Sequence, residues 1–107
     1  MKMELIEQLI ESELKEVDER WPNYHSHHEA YAVIKEEVEE LQWEIERVDS
    51  WLGMYWDKVK NPKVKVRLDE KGLLNQVKNH AHNAIKEAVQ VYVTALRVER
   101  LINKNNK

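Results

Sequence analysis

Ile34, Val38, Leu41, Ile45, Val48, Leu52, Tyr55 and Val59 recur at alternating steps of four and three residues. Apolar residues at that spacing line one side of an α-helix, so the stretch from 34 to 59 is committed to a single long helix. A seam this regular also suits a coiled coil, the rival to a folded bundle. Two features favour the bundle. Trp51 and Trp56 widen the apolar face beyond a two-position seam, and Gly53 interrupts it at a cost of roughly 1 kcal/mol relative to alanine.

The helix has a start and a stop. Ser26 followed by Glu29 fits a capping box, in which each side chain satisfies a free backbone N–H. Asn61-Pro62 closes the other end, because the residue before proline is pushed out of helical geometry. Upstream, Ile6, Leu9, Ile10, Leu14 and Val17 mark the face of a first helix over about residues 3–19. Trp21-Pro22 ends it, and the short link to Ser26 favours an antiparallel neighbour. Downstream, Leu74, Val77, Ala81, Ala84, Ala88, Val91, Ala95 and Ile102 mark a last helix over about residues 73–103, followed by a frayed polar tail over 103–107. The alanines on this face imply close approach to a neighbouring helix.

Between the second and last helices lies the connector Lys63 to Gly72. Val64, Val66 and Leu68 alternate there with Lys63, Lys65 and Arg67, which suits a short extended piece, although one strand without a partner is not a sheet. With Lys58 and Lys60 this is the most basic stretch of the chain. A solvated loop is the commoner fate of such a run than a phosphate contact.

Two glycines and two prolines in 107 residues leave few breaks. The expected fold is all-α: one domain over 1–107, an antiparallel helical bundle of three main helices with room for a fourth short one. With 35% charged residues and a mean hydropathy of −0.76 its core is thin, so completion by oligomerisation is expected. The net charge of −3 argues against a nucleic-acid binder. The absence of cysteine removes disulfides and thiolate metal sites, and it fits a reducing cytoplasm. The N-terminus turns acidic at once and has neither the apolar run of a signal peptide nor that of a membrane span.

Glu36-Glu37-Val38-Glu39-Glu40 sits inside the second helix. On a wheel of about 100° per residue centred on Leu41, Glu37 falls roughly 40° from the middle of the apolar face, Glu44 about 60° and Glu40 about 100° on the same side. Glu36 lies further round, and Glu39 points to solvent. On the last helix, centred on Ala88, the residues His80, Asn83, Glu87, Gln90 and Thr94 fall on one flank. A carboxylate turned towards a core must be paired, protonated or metal-bound. Oxygen ligands from two facing helices suit a hard cation such as Mg2+.

Glu36-Glu37-x-x-Glu40 on one helix, with Glu87 at the matching point of a later one, resembles the all-α nucleoside triphosphate pyrophosphohydrolases of the MazG type, whose motif is E-E-x-x-E followed by E-x-x-D. The segments from His28 to Glu37 and from Lys86 to Val91 resemble short, phage-type members of that family, and the likeness runs from about Trp21 to Leu101. The resemblance implies a metal set of Glu37, Glu40, Glu87 and Gln90. The chain departs from the motif at Gln90, which stands where the family has aspartate. An amide oxygen can ligate a cation but brings no charge and no basicity.

The implied activity is Mg2+-dependent conversion of a nucleoside triphosphate to the monophosphate and pyrophosphate, with Mn2+ an acceptable substitute. Glu36 or Glu44 would take the proton of the attacking water. His28 would lie near the nucleotide, and His80, Asn83, Lys63 and Lys65 complete the candidate nucleotide-binding set. His25, His27 and His28 otherwise read as a polar helix start, and Trp43 and Trp56 as packing rather than base stacking. The family also implies a homodimer or homotetramer in the cytoplasm of a bacterium or phage-infected host. Two other classes remain open: a catalytically weak nucleotide-sequestering protein, made plausible by Gln90, and a helical interaction module built on the heptad.

Overall fold

In the computed structural model, which describes residues 1–105 (residue 105 by its backbone alone), the protein is all-α. Helix α1 spans Met3–Arg20, α2 His27–Lys60 and α3 Glu70–Asn105, and there is no strand among the described residues. No helix among these residues is long and apolar enough to cross a membrane. The last helix is longer than its apolar face implied at both ends. Residues 103–105 are helical rather than frayed, and Asn106 and Lys107 lie outside the described residues. Two compact units share the two long helices: Met1–Glu39 with Glu87–Lys107, and Glu40–Lys86.

In the first unit, α1 offers Ile6, Ile10, Leu14 and Val17 as a half-buried stripe, while Leu9 stays exposed. Its C-terminal end is tied to α3. Asp18 accepts two hydrogen bonds from Arg100, both at 2.8 Å. Arg97, only 4% exposed, donates to the carbonyls of Trp21 (3.0 Å) and Pro22 (2.6 Å) and lies over the Tyr24 ring. The carbonyls of the turn after α1 have no helical partner, and the guanidinium fork supplies one. The turn into α2 is capped as its sequence implies, with one shift. Glu29 N–H donates to Ser26 Oγ at 3.1 Å, but the Glu29 carboxylate reaches back to the N–H of His25 (3.3 Å) rather than to that of Ser26.

The second unit is a helical hairpin closed by the connector. The backbone turns at Pro62, where Asn61 accepts from Val64 N–H through its carbonyl (2.9 Å) and from Lys63 N–H through its side chain (3.2 Å). Val64, Val66 and Leu68 then face inward and Lys63, Lys65 and Arg67 outward, so the expected alternation is present without a strand partner. Asp69 caps α3, accepting from Gly72 N–H at 2.8 Å. A Cβ on Gly72 would sit 3.1 Å from both that oxygen and Leu68 Cβ, which explains a glycine in a first helical turn. Taken as a breaker, Gly72 hid the Asp69 cap and the true start of the helix.

The largest departure from the sequence expectation is which faces point inward. On α2 the less exposed positions are Ala30, Val33, Ile34, Glu37, Val38, Leu41, Glu44, Arg47, Val48, Trp51, Tyr55 and Lys58. The four–three period is the expected one, and Ile34, Val38, Leu41, Val48 and Tyr55 face inward as expected, but three positions of the seam are displaced by one residue. Glu37, Glu44, Trp51 and Lys58 stand inside, whereas Ile45, Leu52 and Val59 are exposed. On α3, Val77, Ala81, Ala84, Val91 and Ala95 face inward as expected and Leu74, Ala88 and Ile102 are exposed, while the polar His80, Glu87, Gln90, Thr94 and Arg97 also turn inward. Apolar periodicity alone placed those polar residues on a flank. Gln90 meets Glu37 and Glu87 there, and Glu44 meets His80, pairings that hydropathy does not register.

Candidate metal centre

Within the first unit, α2 brings Glu37 and α3 brings Glu87 and Gln90 to the same place. Both glutamates and the glutamine are half-buried. The Gln90 amide lies between the two carboxylates, and the orientation that satisfies both turns its NH2 towards them, donating to Glu87 Oε2 at 2.9 Å and Glu37 Oε2 at 3.0 Å. Glu40 follows Glu37 by one turn of the unbroken helix α2, and its carboxylate is exposed. One oxygen from each of Glu37, Glu40 and Glu87 lies within 4.8 Å of the other two.

Three carboxylates this close repel one another unless something positive or hydrogen-bond-donating stands between them. The Gln90 amide meets part of that need. A hard divalent cation is a further group that such oxygens can hold: octahedral Mg2+ with bonds of about 2.1 Å wants oxygens roughly 3 to 4 Å apart, so a small contraction of the cluster suffices. The donor set, carboxylate oxygens with an amide oxygen available if Gln90 turns over, is the chemistry Mg2+ and Mn2+ prefer. The residues present therefore fit the ion.

The rest of the glutamate run divides as the helical wheel implies. Glu36 and Glu39 are exposed, and Glu39 lies 4.0 Å from Lys35 in a solvated i, i+4 pair. In the second unit Glu44 and His80 form a pair of their own, with Glu44 Oε2 2.7 Å from His80 Nδ1. Trp43 meets the imidazole edge-on at 5.9 Å, and Arg47 lies over the Trp43 ring. Helical spacing gives Glu44 and His80 separate roles and does not show the pair. A signal existed: the seven-residue step from Glu37 to Glu44 equals that from His80 to Glu87, as antiparallel neighbours require. His28 stands exposed in the first turn of α2, Asn83 is exposed on α3, and Lys63 and Lys65 are exposed on the connector.

The Asp18 carboxyl is held below its ordinary value of 3.8, mainly by the hydrogen bond from Arg100, against the opposing effect of partial burial. Arg97 and Asp18 went unnoticed in the sequence, although Arg97 continues the inward line of Glu87, Gln90 and Thr94 by helical steps. No family model matches the chain, and no curated protein or solved structure matches it.

Proposed function

We propose that the protein is a Mg2+-dependent nucleotide pyrophosphohydrolase. The observation that carries this reading is the convergence of Glu37, Glu40 and Glu87 oxygens within 4.8 Å at a half-buried helical seam. A divalent ion held there would neutralise phosphate charge and orient the attacking water. The water's oxygen adds to one phosphorus of the α–β anhydride while the bridging oxygen leaves on the other, giving the nucleoside monophosphate and pyrophosphate. The water's proton passes to a carboxylate. Glu36, at the outer edge of the run, and Glu44, one turn beyond Glu40, are the candidates. Glu44 is hydrogen-bonded to His80, which suits a positioned base. His28, His80, Asn83, Lys63 and Lys65 are the groups assigned to the nucleotide. The exposed apolar stripe Ile45, Leu52 and Val59 supports self-association as a homodimer or homotetramer.

Gln90 favours a second reading. Its amide bridges Glu37 and Glu87 and brings no charge, so a nucleotide-sequestering protein of low turnover is the natural alternative. Pyrophosphate release from a panel of deoxynucleoside triphosphates with Mg2+, measured beside binding, separates the two. Release that Glu37→Ala abolishes supports the hydrolase, and binding without release supports sequestration. Neither binding nor release from any triphosphate would sink both.

A further inference from the structure

The second unit contains a cleft that the metal-dependent chemistry does not use. It has a volume of about 580 Å³ and lies between α2, the connector and the first turns of α3. Its wall is apolar, made by Trp51, Met54, Val66, Leu68 and Leu73, and its polar groups are Arg67 and Gln76. Leu73, 1% exposed, is its fixed floor.

We propose that this cleft is a binding site for a planar aromatic ligand that carries an anionic group. The volume lies within the range of small-molecule sites, which are mostly apolar with a few placed polar groups. Trp51 offers a ring to stack on and Met54 a polarizable thioether, both suited to an aromatic plane. Arg67 supplies a charge-assisted, forked donor at the edge, and the outward Lys63 and Lys65 on the same strap add positive potential. The Gln76 amide can orient a polar substituent.

The site is also built before any ligand arrives. The strap that supplies Val66, Arg67 and Leu68 is fastened at one end by the Asn61 turn and at the other by the Asp69 cap. Gly72 lets the strap and the cap approach closely. Fixing both ends removes much of the ordering cost that a floppy loop would add to binding.

The test uses 1-anilinonaphthalene-8-sulfonate as the probe, with the neutral N-phenyl-1-naphthylamine beside it. The sulfonate should bind at a single saturable site and the neutral analogue about tenfold more weakly. Arg67→Glu, at an exposed position, should weaken the sulfonate by at least about tenfold and leave the neutral probe unchanged. Val66→Trp should fill the cleft and abolish both, with circular dichroism reporting that the fold persists. Trp56→Ser removes an exposed ring that does not line the cleft and should change neither. The proposal is overturned by absence of sulfonate binding, by a sulfonate affinity that ignores Arg67→Glu, by loss on Trp56→Ser, or by survival of binding in a folded Val66→Trp protein. None of these outcomes depends on metal or triphosphate, so this site and the hydrolase reading fail separately.

Discussion

Glu44 and His80, facing each other in the hairpin of the second unit, share a 2.7 Å hydrogen bond with both side chains less than one-fifth exposed. Neither has an apolar substitute's indifference to its partner. His80→Leu leaves a carboxylate in the seam without its donor, at a cost of about 1–3 kcal/mol. Glu44→Leu costs a similar amount. The double variant restores an apolar pair and should lose clearly less than the sum. Urea unfolding of the three variants measures the coupling, and strictly additive losses would show that the bond contributes nothing.

Asp18 makes stability depend on pH at the acid end. Its carboxyl is held below the ordinary value of 3.8, first by the hydrogen bond from Arg100. A folded-state pKa lower than the unfolded one gives stability that is present above the unfolded pKa and lost as pH falls through the folded one. The loss therefore begins as pH drops towards about 4 and is complete below the folded value. Asp18→Asn should destabilise by about 1–3 kcal/mol at pH 7, because buried Arg97 and its neighbour Arg100 lose their counter-charge. Denaturation midpoints for wild type and variant should converge between pH 5 and the acid limit. A gap that stays constant with pH would refute the assignment.

The three helices, their order and the two proline stops could be read from spacing alone, because long periodic stretches with breakers are the strongest local signals. The inner faces could be read only in part. Ile45, Leu52 and Val59 satisfy a heptad as well as Glu44 and Trp51 do, and the sequence holds no hydropathy reason to bury Glu37, Glu44 or His80. What selects the polar face is pairwise satisfaction between residues far apart in sequence, 36 positions for Glu44 and His80, which one-dimensional periodicity cannot weigh. The candidate site was legible in a weaker sense. Helical phase put Glu37 innermost and Glu39 outside, but the amide bridge from Gln90 depends on how α3 is turned against α2.

The displaced seam leaves Ile45 and Leu52 at 54% and 48% exposure, on a protein whose core is already thin. If a second copy covers them, Ile45→Lys with Leu52→Lys should shift the light-scattering mass to that of one 12.9 kDa chain while leaving helicity intact. An unchanged mass would mean that these side chains face water in solution.

Gln90 decides how the carboxylate cluster behaves without a cation. Its NH2 group, 2.9 Å from Glu87 and 3.0 Å from Glu37, takes the place between two anions that a metal would otherwise hold. The wild-type protein should therefore fold without Mg2+ and gain little from it. Gln90→Asp removes the donor and adds a fourth carboxylate to the cluster, so the metal-free variant should lose about 1–3 kcal/mol, equivalent to roughly 4–20 °C in Tm for a domain of this size. Millimolar Mg2+ should restore most of that loss in the variant and raise wild type only slightly, because stabilisation follows the ratio of free ion to Kd. Calorimetric Mg2+ titration should show the same order of affinity. If metal-free Gln90→Asp is as stable as wild type and Mg2+ moves neither, the cluster is not a cation site, and the hydrolase reading loses the observation that carries it.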